Sequence, residues 1–532
     1  MRRSGSWSAR AAALAAGFAA AFAHPPFGFL PGLLGYAALL WLLDRADEAR
    51  PLRSAFLRAW LTGAAYFAVS TWWVGEAFFV NAEEQGWMAP FAVVFLAAGL
   101  ALFWGAAGVL YRWMAPRGAL RLFAFAGAFA LTEWLRGHVL TGFPWDLPGE
   151  TWKAGSPVSQ AASLIGAYGL TWVTLALAAS PGLGFSNRAE RLALAAGVLA
   201  LAGLYGFGLW RLGGAEARPG PGAPVVRVVQ PNTPERPHYD LAAVADILRR
   251  NLDLTRKPAA LTPDIIVWSE AGIPAALDDY LAPDAWTRAE IVAALKPGQT
   301  LITGGYRRAA APTGAYAPEG VVYHNSLVAV RRGASDLAVT AVYDKYRLVP
   351  FGEFLPLDRY LAPLGVHQMV HVGPGFTPGP PPRPIASPGA PPMQPLICYE
   401  SLYPSFVREG AEAAGRRPAW IVNVSDDAWF GVTSGPWQHL NLASYRAIEA
   451  GLPMVRATPT GVSAVIDAYG RVVPDKLLGE GAVGAIDAAL PRALAPTPFL
   501  GWGETPFFVL LALSLLGALG GRVATLGRSG KA

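Results

Sequence analysis

Over its first 212 residues the chain is patterned in long apolar runs broken by short polar turns, without the alternation of half-buried strands. The runs are Ala11–Ala23, Leu30–Leu43, Phe56–Val74, Pro90–Tyr111, Leu122–Leu135, Ala161–Leu177 and Leu192–Trp210. A bilayer core requires about 20 apolar residues per helix. Residues 1–215 are therefore expected to form a membrane domain of about seven transmembrane helices. The first two runs are short, and fit if their helices continue past the apolar stretch or form a hairpin around Pro25 and Pro26. An eighth run, Phe507–Leu519, predicts a C-terminal span over 504–523.

Between these regions the period shortens. Short β-rich runs recur at Val225–Val229, Ile265–Trp268, Thr300–Thr303, Ser326–Val330, Val339–Tyr343, Leu396–Cys398, Trp420–Val424 and Val462–Asp467. Helical candidates lie among them at Leu241–Leu252, Pro404–Ala414 and Trp437–Ala450. The alternation predicts an α/β domain over 221–496, with sheets covered by helices. Gly373–Pro395 is Pro-rich, and is expected to be a surface loop leading into the cysteine strand.

Composition supports the membrane reading, because 53% of the 532 residues are hydrophobic and only 15% charged. The net charge of +6 is carried mainly by arginines beside the apolar runs, and no basic stripe with interleaved aromatics suggests nucleic acid. Arg2, Arg3 and Arg10, then Arg45, Arg50 and Arg53, then Arg112, Arg117 and Arg121, then Arg188 and Arg191, and finally Arg522, Arg528 and Lys531 all fall on one side of the spans. The connection carrying Glu76, Glu83 and Glu84 has no Lys or Arg. The positive-inside rule puts both termini in the cytoplasm and 221–496 outside, which in a two-membrane bacterium is the periplasm. The N-terminal run leads at once into further spans through His24-Pro25-Pro26, so it reads as a retained helix and not a cleaved signal.

Cys398 is the only cysteine and ends an apolar strand. It cannot form an intramolecular disulfide, so it is either a buried thiol acting as a small hydrophobe or a nucleophile. Two other strands end in ionisable groups, at Trp268-Ser269-Glu270 and at Tyr343-Asp344-Lys345. Alone, either is an ordinary solvated charge. Together, if their strands are neighbours in one sheet, the three groups converge on one edge. Glu270 would then accept the thiol proton, and Lys345, with a backbone N–H such as that of Tyr399, would hold an oxyanion.

Trp268-Ser269-Glu270, Tyr343 to Phe354 and Ile397-Cys398-Tyr399-Glu400 resemble the Glu-Lys-Cys motifs of the nitrilase superfamily. With the flanking spans, the resemblance narrows to its membrane-embedded branch, the apolipoprotein N-acyltransferases. Further family-like stretches are Glu133–Gly137, Thr141–Trp145, Asp427–Gly431 and Gly435–His439. The resemblance implies an αββα sandwich joined to a multi-span helical domain. It also implies ping-pong transfer of an sn-1 acyl chain from a phospholipid, typically phosphatidylethanolamine, through a thioester on Cys398 to the α-amine of a diacylglyceryl-cysteine on an apolipoprotein. Glu353, Tyr399, Glu400, Tyr239 and Trp429 would support the site or bind substrate. A monomer in the bacterial inner membrane is expected, with no cofactor or metal. The sequence departs from the family pattern at Ser269, where Pro is frequent, and at Tyr239, where a Trp is expected. It also departs at Asp426, where the motif begins with Asn, and whose carboxyl could bring a negative charge near the site.

Rival readings are a membrane-tethered amidase acting on a small amide, a transporter and a silent scaffold. Seven spans exceed what a tether needs, few ionisable residues lie at mid-membrane depth, and a scaffold leaves the Cys, Glu and Lys coincidence unexplained. Gly479, Gly481 and Gly484 lack the strand-turn-helix context of a dinucleotide loop, and His367 and His371 lack the glutamate of a zinc helix. Trp72, Trp73, Trp87 and Trp113 lie near span ends as interfacial anchors or packing residues. Tyr346–Tyr360 and His367–Phe376 are candidate lids and lipid contacts.

Overall fold

The structure is a computed structural model describing residues 4–214, 218–220, 222–236, 239–311, 320–356, 360 and 375–529, with backbone alone for 4–6 and 521–529. His238, His367 and His371 lie outside the described residues, as does most of the second candidate lid. The chain divides into two compact units, one of residues 1–215, 433–449 and 496–532, the other of 216–432 and 450–495.

Every apolar run falls in a helix of the first unit: α1 (Ser4–Phe22), α2 (Leu34–Asp44), α3 (Pro51–Ser70), α4 (Ala89–Met114), α5 (Leu120–Arg136), α6 (Ala162–Ala179), α7 (Arg188–Leu212) and, after the second unit, Thr505–Ser529. Three described stretches, Ala82–Met114, Val158–Leu183 and Arg188–Leu212, are long and apolar enough to cross a membrane, while Leu30–Asp44 and Thr505–Gly520 are shorter apolar helices. On α7, Leu192, Val198, Leu199, Leu209 and Trp210 are exposed, a surface suited to lipid. At one end of this unit Arg121 bridges Asp44 and Glu190, each at 2.6 Å, gathering the arginine-rich connections. At the other end Arg136 pairs with Glu133 and donates to the carbonyls of Phe143 and Trp145. Residues 433–449 also pack there. Gln438 Oε1 accepts from the indoles of Trp73 and Trp145, each at 3.1 Å, and Arg446 pairs with Glu150 at 3.0 Å. The family-like stretches Glu133–Gly137, Thr141–Trp145 and Gly435–His439 thus satisfy one another's buried polar groups.

The second unit contains two six-stranded sheets among the described residues. The first comprises β1 (Val225–Gln230), β2 (Ile265–Val267), β3 (Thr300–Ala310), β4 (Val321–Arg332) and β5 (Leu337–Asp344). The second comprises β6 (Ile385–Ser387), β7 (Ala390–Ile397), β8 (Trp420–Val424), β9 (Met454–Ala457), β10 (Ser463–Ile466) and β11 (Val472–Leu478). β12 (Gly484–Ala489) returns beside β1, giving orders β12-β1-β2-β3-β4-β5 and β11-β10-β9-β8-β7-β6. Ile265, Val267 and Ile302 face Ile397, Val422, Val424 and Val455 in the inter-sheet core. Their alternating neighbours Ile266, Trp268 and Leu301 face helices α8 (Leu241–Arg256) and α9 (Trp286–Ala294) through Leu248, Leu252 and Ile291. The period of two thus builds both layers. Gly410 of α10 (Phe406–Ala414) lies against Gln394 on the second sheet, extending the αββα order.

The Pro-rich piece differs from expectation, because β6 and most of β7 lie within it. Its prolines lack N–H groups, yet their carbonyls pair: Pro392 accepts from Ala419 N–H at 2.7 Å and Pro391 from the Trp420 indole at 3.0 Å. Gly484 opens a strand, so the glycine string precedes no helix.

Beyond β8, Arg456 is fully buried. It pairs with Asp427 through bonds of 2.8 and 2.7 Å and also donates to Asn423 and to the carbonyl of Val462. Removing one member of a buried pair strands the other charge, at about 3–5 kcal/mol. Arg456→Met is expected to cost that much in denaturant unfolding of the detergent-solubilised protein, and a loss below about 1 kcal/mol would contradict this assignment.

Candidate active site

Three strand ends of the second unit bring the ionisable groups together, but not as neighbours in one sheet. β2 and β5, which lead to Glu270 and Lys345, are separated by β3 and β4, and β7, which leads to Cys398, belongs to the other sheet. The groups converge because the sheets stack face to face with these ends aligned.

Glu270 follows β2 in a turn fixed through the carbonyl of Ser269, which accepts from Gly272 N–H and Gly304 N–H, each at 3.0 Å. Holding the turn needs no side chain at Ser269, so the departure there leaves the carboxylate in place. A Cβ at Gly304 would lie 2.1 Å from the Glu270 carbonyl oxygen, so only glycine admits this approach.

Lys345 is almost fully buried between two carboxylates, with Nζ 3.1 Å from Glu270 Oε1 and 2.9 Å from Glu353 Oε1. Burial alone lowers an ammonium's pKa, but Glu270 and Glu353 outweigh it and raise that of Lys345 well above its ordinary value. Two of its three N–H donors are used. Asn325 Nδ2 spans the same two oxygens at 2.7 Å each, and Val349 N–H donates to Glu353 Oε2 at 2.8 Å. Glu270 Oε2 is buried and partnerless, and is therefore the atom available to take a proton. Asn325 was not singled out from the sequence. Its one signal is the polar triplet His324-Asn325-Ser326 inside a strand.

Cys398 lies on a sharp strand-to-helix turn with φ of +47°, rare for a residue with a side chain and of the kind that lifts a nucleophile clear of its strand. The residue keeps partial exposure. Burial, then the charge of Glu270, pushes its thiol pKa well up, against Lys345 and a hydrogen bond with Ser425. At rest the sulfur is a thiol.

Glu400 ties the two sheets together. Its Oε2 accepts from Ile397 N–H at 2.8 Å, and Oε1 accepts from Tyr343 Oη at 2.7 Å, Tyr346 N–H at 2.8 Å and Arg347 N–H at 3.2 Å. Burial pushes this carboxyl up to about 7, against those bonds and the charge of Lys345. Tyr399 is buried, with its ring against Tyr403. Trp429 is half-buried in the short turn after β8 and makes no hydrogen bond or ring contact among the described residues.

Tyr239 donates to Glu235 Oε1 at 2.9 Å, and Glu235 also hydrogen-bonds Asp426. Burial first, then the charges of Glu235 and Glu270, raises the Asp426 pKa well above its ordinary value. Burial raises the Glu235 pKa as well, so the Asp426–Glu235 pair favours a shared proton over two negative charges.

Residues 225–496 match the carbon–nitrogen hydrolase family, which sets the class of the catalytic unit. Residues 16–180 match the apolipoprotein N-acyltransferase N-terminal domain. The apolipoprotein N-acyltransferase of Caulobacter vibrioides is 53% identical over 96% of this chain and 94% of its own. That of Rhodopseudomonas palustris is 36% identical over 96% and 94%. A solved amidase of the nitrilase superfamily from Nesterenkonia covers 53% of this chain and 95% of its own, at 18% identity and a TM-score of 0.34. The chain belongs to the apolipoprotein N-acyltransferase family.

The raised Asp426 pKa has a pH consequence. Its folded pKa exceeds its ordinary 3.8, so the stability it contributes is present at low pH and is lost as pH rises through the folded value. Asparagine does not titrate. Asp426→Asn should therefore gain in thermal midpoint relative to wild type as pH climbs from 5 to 9, whereas parallel pH profiles would refute the raised pKa.

Proposed function

We propose that the protein transfers an acyl chain from the sn-1 position of a phospholipid, through a thioester on Cys398, to the α-amine of the diacylglyceryl-cysteine of apolipoproteins. The observation that carries this reading is the buried, partnerless Glu270 Oε2 in one site with a Cys398 thiol whose pKa burial and the charge of Glu270 raise, beside a charged Lys345 with one N–H unused.

In the first half-reaction Glu270 Oε2 takes the thiol proton as sulfur attacks the ester carbonyl. Lys345 Nζ and the Tyr399 N–H receive the oxyanion. Collapse expels the lysophospholipid alkoxide, which takes the proton back from Glu270, leaving the thioester. In the second, the neutral α-amine attacks, Glu270 accepts its proton, and the departing thiolate recovers it. Amide formation from a thioester runs downhill without ATP. Glu353, with Asn325, holds Lys345 and Glu270 in register, and Glu400 fixes the turns that carry Lys345 and Cys398. Tyr239 and Trp429 offer aromatic surface to the lipid.

Phosphatidylethanolamine is the proposed donor and a monomer the working unit. The helices of 1–215 and 504–523 cross the inner membrane, 221–496 lies in the periplasm, and both termini are cytoplasmic. The arginine-rich connections gathered around Arg121 support that orientation. The tethered-amidase reading is disfavoured by family membership and by apolar helices far beyond a tether's needs.

The deciding experiment incubates the purified protein with phosphatidylethanolamine labelled in its sn-1 acyl chain and analyses Cys398 by mass spectrometry. A hydroxylamine-labile labelled acyl group, absent in Cys398→Ala, is expected. Glu270→Gln should slow its appearance about 10²–10⁴-fold, the usual worth of a general base. Bound lipid with no adduct on an intact thiol would overturn the reading.

A further inference from the structure

The arginines of the catalytic unit mostly have evident partners. Arg227 pairs with Asp487, Arg307 with Asp344 and Arg456 with Asp427, while Arg417 donates to backbone carbonyls. Arg347 is different. Its guanidinium rests over two aromatic rings, with Cζ 4.8 Å from the Tyr403 centroid and 5.4 Å from that of Tyr346. Its Nε is fully enclosed without a hydrogen-bond partner, and no carboxylate pairs with it among the described residues. The cation rests on π faces with the side chain partly open to solvent, and no protein acceptor takes its planar fork of donors among the described residues.

Its placement is equally specific. The Arg347 N–H donates to Glu400 Oε1, so the backbone is clamped two residues beyond Lys345 and against the turn that carries Cys398. The buried ring of Tyr403 lies within electrostatic reach of both Arg347 and Lys345, and it packs on Tyr399, the residue after the nucleophile. Of these two cations only Lys345 is committed to internal carboxylates. A guanidinium fork matches two oxygens of a phosphate better than it matches a neutral group.

We propose that Arg347, seated on Tyr346 and Tyr403, binds the phosphodiester of the acyl donor and thereby selects phospholipids over phosphate-free esters while Lys345 holds the oxyanion. This rests on the donor reading above. The donor carries its sn-1 ester and its phosphodiester on the same short glycerol, so an ester carbonyl at Cys398 brings an anion into this neighbourhood. The acceptor's diacylglyceryl-cysteine has no phosphate. Arg347 therefore acts in the first half-reaction and not in the second.

The test measures rates of thioester formation on Cys398 from 1-palmitoyl-2-oleoyl-phosphatidylethanolamine and from 1-palmitoyl-2-oleoyl-glycerol, which has the same sn-1 ester without phosphate. Wild type, Arg347→Met and Arg347→Lys are compared, with aminolysis of a preformed thioester followed separately. Loss of charge-assisted hydrogen bonds is expected to lower the phospholipid-to-diacylglycerol rate ratio roughly 10- to 100-fold in Arg347→Met. Arg347→Lys should fall between that variant and wild type. Millimolar inorganic phosphate or glycerol phosphate should compete in wild type only if free phosphate reaches the site, and strong competition would identify a general phosphate site in place of a lipid-selective one. An unchanged ratio in Arg347→Met, or equal slowing of aminolysis, would overturn the proposal. Wild type that forms no thioester from phospholipid would instead overturn the donor reading. Thermal unfolding of each variant separates these outcomes from misfolding.

Discussion

Taking an ammonium out of water costs several kcal/mol unless carboxylates replace its hydration, and the catalytic unit meets that requirement at Lys345 with two carboxylates where one would balance the charge. The surplus negative charge has consequences. Burial is the larger cause of the raised Cys398 thiol pKa, and the charge of Glu270 adds to it against Lys345. In the proposed first step, proton transfer from Cys398 to Glu270 leaves the net charge unchanged, since one anion forms as another vanishes. In the proposed mechanism the same charge then moves onto the tetrahedral oxygen beside the unused Lys345 N–H. Asn325 donates to both carboxylates, so the site changes protonation without losing its hydrogen-bond frame. Such a fixed field needs little reorganisation as charge moves through it.

That field is useful only if the nucleophile is held at a fixed point within it. A residue with a side chain at φ of +47° costs about 1–3 kcal/mol and persists where its surroundings over-determine it. Glu400 supplies the determination. Its carboxylate accepts a backbone N–H from the β7 end and three donors from the β5 side, so the turns bearing Cys398 and Lys345 share one anchor across two sheets. Gly304 acts similarly for Glu270, because any Cβ there would push the base away.

The meeting of Glu270, Lys345 and Cys398 was legible because each ends an apolar strand, and that local pattern survives folding. Its distribution between two sheets was not, since period-two alternation marks which residues face inward without saying which sheet they join. Gly373–Pro395 read as a loop because it is Pro-rich and poor in strand and helix formers, yet a strand can be paired through proline carbonyls, as those of Pro391 and Pro392 show by accepting from Trp420 and Ala419. Asn325 was invisible because its role is defined by two carboxylates distant in sequence. Asp426 was legible as a carboxyl but not as one with a raised pKa, because only the fold buries it and puts it beside Glu235 and Glu270.

Charge in the helical unit follows a related logic. A topology signal counts cations that stay in water, and Arg45, Arg50, Arg53, Arg117, Arg188 and Arg191 are exposed around the end marked by Arg121. Arg136, at the other end, would weaken that asymmetry if it were free. It is instead fully buried, paired with Glu133, and bonded to two carbonyls, with its Cζ 5.0 Å from the Phe67 ring centroid. Neutralised in this way it carries no orienting charge, and its work is to close the turn that positions Trp145 against Trp73, ring centroids 4.4 Å apart. Arg136 is thus held by the fold as a structural ligand.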